Sequence, residues 1–290
     1  MFYAISGRML TGLDHIVLIC NDLDVATSNY KMLLGREPDW TAVTPDDGTA
    51  SVWFQIGETG LELLGPEGDG PVGDKLKKMI AAGGGGLVSL AFSCVQIDEM
   101  HTCFSKRGLV PSDISHGQST DSATGKTRSW KRLRLDTSQT GGVRQFVIQN
   151  EKSTPIKSKH YGDDSVQSLD HVVINSLHPE RAAALYGARL GCDLRLDTER
   201  VDLASRFLFF RVGTSTIEIV SRLGVSASTQ MNDSLWGLSW YVKNLDMAHK
   251  RVKKAGFNVT DIRPGRKKGT QVFTVLDRTC NTPTLFIERS

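Results

Sequence analysis

The sequence predicts an α+β fold of four tandem β-α-β-β-β modules arranged as two domains, and three observations carry that prediction. The first is length: 290 residues exceed the size to which a single hydrophobic core usually grows. The second is an ungapped internal repeat. Leu13-Asp14-His15 recurs as Leu169-Asp170-His171, Tyr30 as Tyr186, Leu34-Gly35 as Leu190-Gly191, Phe54 as Phe210, Gly57 as Gly213 and Glu62 as Glu218. Every pair is 156 positions apart, as 171 is from 15 and 218 is from 62. The third is a weaker repeat in the segments that follow, where Asp98, His101 and Gly108 match Asp246, His249 and Gly256 at a spacing of 148. The chain therefore reads A-B-A′-B′.

Each element follows from local pattern. In A, residues 13–20 (LDHIVLIC) are a β-rich apolar run. Leu23, Ala26, Tyr30, Leu33 and Leu34 then fall at helical spacing, and Gly35 stops the helix. SVWFQIG and GLELLG read as two strands joined by a short turn containing glycine. B opens on GLVSLAFSC, carries a helix that stops at Gly108 and closes through WKRLRLD and RQFVIQ; B′ opens on LWGLSWYV and closes on PTLFIE. Residues 66–86, with the amphipathic stretch DKLKKMIAA, connect A to B, and about 222–235 connect A′ to B′. Polar residues 151–167 suit a linker, which places the domains at 9–150 and 168–290. Met9 precedes the first patterned segment, so residues 1–8 read either as an extended start or as residues foreign to the natural chain.

Composition excludes several function classes. With 39% hydrophobic and 23% charged residues the chain can bury cores. Its 35 basic and 32 acidic residues leave a charge of +3, too balanced for a nucleic-acid-binding face. No apolar run spans a bilayer, and MFYAISGRML lacks the features of a secretory signal, so a cytoplasmic protein is expected, as monomer or homodimer, with a small molecule as its partner. The five cysteines, without a C-x-x-C pair, suggest neither a disulfide framework nor a zinc finger. No G-x-S-x-G elbow, Walker A loop or H-E-x-x-H is present.

The tandem modules, the L-D-H-[IV]-V-[LI] opening strand and the [LI]-E-[LI] triplet of the last strand resemble the vicinal oxygen chelate superfamily. Its members include glyoxalase I, bleomycin-resistance proteins, fosfomycin-modifying enzymes and extradiol dioxygenases. The resemblance covers the chain from about Leu13 to Glu288. It implies two glyoxalase-like domains, each a pair of modules whose curved mixed sheets enclose a cavity. In metal-dependent members, ligands come from the first and last strands of the paired modules. Carried over residue by residue, that makes His15 and Glu62 in A, and His171 and Glu218 in A′, ligands of a divalent ion (Zn, Ni, Mn or Fe). Glu62 or Glu218 would also move a proton as catalytic carboxylate.

The sequence departs from the family in B and B′. Ser89 and Gly237 stand where metal-dependent members carry a second His. The closing strands offer Gln145 or Gln149 in B and Thr284 or Glu288 in B′, so Glu288 enters the ligand set only in a shifted register. If A packed on A′, His15, Glu62, His171 and Glu218 would instead form one shared site. Retention of His and Glu in both repeats favours a cation, because a buried unpaired carboxylate is costly. Structural histidines with no metal are the competing explanation.

Strand alternation adds substrate-side candidates. His15, Val17 and Ile19 share one face, and Ile16, Leu18 and Cys20 share the other, which packs on the module helix. Trp53 and Gln55 point toward the cavity, as do their repeats Phe209 and Arg211, and Tyr241 does so in B′. In WKRLRLD, Arg132 and Arg134 alternate with leucines, and Arg134 is a candidate for binding an anionic substrate. The resemblance implies a metal-assisted lyase or isomerase acting on a small hydroxy-carbonyl, enediol or phenolic substrate. The alternatives are a metal-free binding protein of the bleomycin-resistance type and an extradiol-type dioxygenase.

Overall fold

A computed structural model describes residues 10–151, 156–225 and 232–289. Residues 1–8 ahead of Met9 and part of the A′ to B′ connector, 226–231, lie outside the described residues. The first half runs β1 (Leu10–Ile19), α1 (Leu23–Leu34), β2 (Trp40–Thr44), β3 (Thr49–Ile56), β4 (Thr59–Pro66), α2 (Pro71–Ala81), β5 (Gly86–Cys94), α3 (Ile97–Lys106), β6 (Ser115–Thr120), β7 (Thr127–Arg134) and β8 (Arg144–Asn150). The second half runs β9 (Val166–Asn175), α4 (Pro179–Ala183) with a π turn at Ala184–Arg189, β10 (Asp193–Arg200), β11 (Ser205–Val212) and β12 (Ser215–Arg222). It continues with β13 (Ser234–Val242), α5 (Leu245–Lys254), β14 (Arg263–Pro264), β15 (Thr270–Val275) and β16 (Thr284–Arg289).

Each half is one mixed eight-stranded sheet, ordered β2-β3-β4-β1-β5-β8-β7-β6 and β10-β11-β12-β9-β13-β16-β15-β14. This is the α+β, tandem-module architecture that the repeat predicts. The opening strands β1 and β5 pair antiparallel at the centre of the first sheet, and β9 and β13 do so in the second. Modules adjacent in sequence therefore share a sheet, and His15 and His171 belong to different sheets.

The core is built from the alternation read in the sequence. Asp22 caps α1 by accepting from Val25 N (2.9 Å), and Gly35 ends it in the left-handed region (φ 66°), donating to Lys31 O. The helix buries Ala26, Tyr30, Leu33 and Leu34 in one cluster with Ile16, Leu18, Phe54, Leu61 and Leu63. Truncating any of these large side chains to alanine would cost about 2–5 kcal/mol.

The two halves are joined about a pseudo-two-fold axis. Thr59 Oγ1 meets Ser215 Oγ at 3.3 Å, and these are repeat partners, 156 positions apart. The repeated tyrosines serve the same junction: Tyr30 donates its hydroxyl to Thr279 O (3.1 Å), and Tyr186 OH accepts from Gln145 Nε2 (2.8 Å). The repeat thus preserves an interface here. β9 begins at Val166, inside the segment read as linker, and the buried Arg36 holds that segment through bonds to Val166 O (2.6 Å) and Lys159 O (3.3 Å). Among the described residues no helix is long and apolar enough to cross a membrane.

Candidate functional site

Each sheet carries one Asp-His-Glu constellation on the face opposite its helices. The Asp-His dipeptide comes from the central strand and the carboxylate from the parallel neighbour, because Val17 registers with Glu62 and Val173 with Glu218. In the first half, His15 Nδ1 lies 2.7 Å from Asp14 Oδ1, and His15 Nε2 lies 3.9 Å from Glu62 Oε2. In the second, His171 Nδ1 lies 2.7 Å from Asp170 Oδ2, and Nε2 is 3.1 Å from Glu218 Oε2 and 2.8 Å from Ser239 Oγ. Ser239 has Ala91 as its counterpart at the 148 spacing, so only the second half adds a hydroxyl at this point.

The charges in the second half are strongly coupled. Burial opposes ionisation of Asp170, but hydrogen bonds from His171 and Arg289 outweigh it and hold the carboxyl at about 2. Burial likewise opposes the imidazolium of His171, yet bonds to Asp170 and Glu218 raise it to about 9. His171 is therefore a fixed cation at neutral pH, sharing its Nε2 proton with a carboxylate. In the first half, Asp14 is also lowered against its burial, by His15 and by Asn150 Nδ2 at 2.7 Å.

The first site is filled. Trp40 pairs with Trp53 across β2 and β3, Trp53 pairs with Glu62, and the His15 ring lies 4.9 Å from Trp53. The Arg128 guanidinium stands 4.1 Å from the Trp53 ring, 5.5 Å from Trp40 and 5.3 Å from Trp130. Its Nε is buried without a hydrogen-bond partner, and burial lowers its pKa against the pull of Glu62 and Asp14. The sheet edges meet over this cluster, where Trp40 Nε1 donates to Ser119 Oγ (3.0 Å) and Thr41 N to Asp121 Oδ1 (3.0 Å). At the repeat positions of Trp40 and Trp53 the second half carries Leu196 and Phe209. Leu196 is 50% exposed where Trp40 is 7% exposed, so the second half lacks the tryptophan cover at this edge strand, while Glu218 itself is buried.

The other sequence candidates are placed as follows. Gln55 accepts from Trp53 Nε1 (2.9 Å) and is thereby tied to the tryptophan cluster. Arg211 donates to Thr214 O (2.8 Å) at the β11–β12 turn. Tyr241 lies beneath Arg289, whose guanidinium carbon is 5.6 Å from its ring centroid. Arg134 is exposed opposite Phe146. Arg128, which the sequence reading passed over, is the arginine that reaches the first site. The signal for it was alternation continued backwards along β7, through Arg132 and Trp130 to Arg128. Glu288 lies on the helix side of β16 with the buried Phe286, and its Oε2 accepts from Leu245 N (2.7 Å) at the start of α5. Gln149 accepts from Ile97 N (2.8 Å) in the same manner.

Register identifies what stands where B and B′ would complete a metal site. Ala91 registers with Phe146 as Val17 does with Glu62, and Ser239 with Leu285 as Val173 does with Glu218. The second pair of positions is therefore Ser89 and Phe146 in one half, Gly237 and Leu285 in the other. A phenyl ring and an isobutyl group donate nothing to a cation. Among the described residues no group of three or more His, Cys, Asp or Glu side chains is placed to hold a metal ion. One imidazole and one carboxylate do not fit the three- or four-ligand sites of divalent-metal enzymes.

Comparison with known proteins places the fold. The family model described as "Glyoxalase-like domain" matches residues 13–191, more than half of the chain, and a "Glyoxalase/Bleomycin resistance protein/Dioxygenase superfamily" model matches residues 170–274. The chain belongs to the glyoxalase-like family of the vicinal oxygen chelate superfamily. Mitochondrial methylmalonyl-CoA epimerase from Bos taurus is 32% identical over 90 residues, covering 31% of this chain and 48% of that protein. Ethylmalonyl-CoA/methylmalonyl-CoA epimerase from Cereibacter sphaeroides is 33% identical over 76 residues, covering 26% and 57%. The chain thus aligns with about half the length of the curated relatives it matches. A mutant of 4-hydroxymandelate synthase from Streptomyces coelicolor superposes with a TM-score of 0.67 at 13% identity, over 97% of this chain and 93% of that one. A hypothetical protein from Staphylococcus aureus gives 0.62 at 12% identity, over 94% and 98%. At these identities the structural likeness is one of fold.

Proposed function

We propose that the protein is a proton-transfer enzyme of the lyase or isomerase type. It acts on a small hydroxy-carbonyl, enediol or phenolic substrate at the sheet face of the second half that carries His171 and Glu218. The observation that carries this reading is the bonded series Asp170, His171, Glu218 and Ser239 on that face. Glu218 takes the proton from a carbon beside the substrate carbonyl and can return it there. The His171 imidazolium, oriented by Asp170, donates to the oxygen that becomes negative, with Ser239 beside it. The epimerase names of the partial relatives are in keeping with chemistry at such a carbon. No step is assigned to a metal, because the donors present do not fit one.

The test is hydrogen exchange followed by proton NMR. Small α-hydroxyketones, malonate-type thioesters and catechols would be incubated in deuterium oxide with the protein and a chelator. Exchange at the carbon beside the carbonyl is expected for at least one class, with a loss of at least about a hundredfold in Glu218→Gln. Exchange that appears only after divalent metal is added would replace this reading with the metal-assisted one. Saturable binding without exchange, unaffected by chelator, would make the protein a binding module. The tryptophan-filled first half is the observation that favours that second reading.

A further inference from the structure

We infer that Cys20 and Cys280 are a redox-active pair that closes into a disulfide between the two halves of the chain when a peroxide-class oxidant is present. The residues are 260 positions apart, at the end of β1 and in the loop before β16, and their sulfurs lie 3.4 Å apart. Closing to a bond of about 2.0 Å needs the sulfurs to approach by about 1.4 Å. Both thiols line a cavity of about 300 Å³ at the junction of the halves, with Asn21, Asn29, Arg278 and Asn281 among its walls. A small oxidant can therefore reach them.

The backbone supports a special role for this loop. Cys280 and Asn281 hold φ values of 50° and 54°, which side-chain-bearing residues adopt at a cost. In the corresponding loop of the first half, Gly141 and Gly142 adopt φ of 66° and 93°. The position matching Cys20 in the second half, 156 residues on, is Ser176. One side of the pseudo-two-fold thus has two thiols where the other has a serine and a glycine. The loop is anchored to the first half by Tyr30 OH on Thr279 O (3.1 Å) and by Leu87 N on Thr282 Oγ1 (3.1 Å), which keeps the sulfurs together.

The chemistry distinguishes this pair from the other cysteines. Burial pushes the Cys94 and Cys192 thiols up to about 12. Cys20 is 2% exposed and Cys280 only half-buried, so Cys280 is the thiol that an oxidant entering the cavity meets first, and it acts as the nucleophile. Its thiolate attacks one oxygen of hydrogen peroxide, the O–O bond breaks, and the sulfur becomes a sulfenic acid as hydroxide leaves and takes up a proton. Cys20 sulfur then attacks the sulfenic sulfur; the S–S bond forms, the S–O bond breaks, and the thiol proton leaves with the oxygen as water. Two thiols and one peroxide give one disulfide and two waters.

The experiment uses the whole protein and hydrogen peroxide. After a brief stoichiometric treatment, the protein is denatured, free thiols are alkylated, and non-reducing peptide mapping is run by mass spectrometry. Alkylatable thiols should fall from five to three, with one linked peptide pair containing Cys20 and Cys280. Cys20→Ser should show no intramolecular link and should accumulate sulfenic or sulfinic acid at Cys280. Five persisting thiols in the untouched sequence, or links through Cys103 or between chains instead, would overturn the inference.

Discussion

Raising the pH should destabilise the second half through His171, by an amount the structure sets. Its folded pKa of about 9 stands above the ordinary 6.5. Below about pH 6.5 both folded and unfolded chains hold the proton, and the full stabilisation is present. Between 6.5 and 9 the unfolded histidine releases its proton while the folded one keeps it, so each step upward in pH favours unfolding. Above 9 the contribution is gone. At about 1.4 kcal/mol per pH unit, the interval corresponds to about 3 kcal/mol. Urea unfolding at about pH 6 and about pH 9.5, on the native sequence and on His171→Gln, isolates the effect, since other titrating groups are common to both. The native protein should lose about 3 kcal/mol more than the variant. A difference between the two that does not change with pH would refute the charge assignment. On the acid side Asp170, held at about 2 against the ordinary 3.8, contributes stability that is present above 3.8 and lost as the pH falls through 2. The two contributions share one ion pair and do not add.

Two further outcomes are expected. Gly60→Ala would place a Cβ 2.0 Å from Trp53 Cζ2, so the indole must leave its seat beside His15; a loss on the order of 1–3 kcal/mol with a red-shifted tryptophan emission is expected, and an unchanged spectrum and melting temperature would contradict the packing described. Glu288→Ala removes the acceptor of Leu245 N at the start of α5 and should cost about 1 kcal/mol while leaving hydrogen exchange by Glu218 intact; loss of exchange in a folded Glu288→Ala protein would return Glu288 to the site.

The fold was legible because it is repeated. A register kept over 156 positions carries more information than any one motif, and strand alternation separates Phe54 and Ile56, which join the helix-side core, from Trp53, which lies against Trp40 and His15. The site was legible only within single strands. That Trp40, Trp130 and Arg128 converge depends on the two edges of a sheet meeting, which local pattern does not encode. The Cys20–Cys280 approach spans 260 positions and two sheets, and is equally silent in the sequence. The repeated tyrosine shows the converse difficulty. Its spacing marks it as important without saying whether the importance is chemical or, as the structure shows, a matter of joining two halves.

The retained carboxylates then have a physical explanation that the sequence alone left open between a bound cation and a structural role. A buried Asp or Glu needs compensating positive charge or hydrogen bonds. In the first half Arg128 lies close enough to Glu62 and Asp14 to offset their charge, and the surrounding indoles hold it there. In the second half Arg289 pairs with Asp170, and His171 in its charged form pairs with both Asp170 and Glu218. Each copy thus draws its cation from its own chain, and does so differently. The first places the guanidinium inside the sheet and closes over it. The second keeps its arginine at the strand end, beside Tyr241, and sets the largely buried His171 and Glu218 within hydrogen-bond reach of each other.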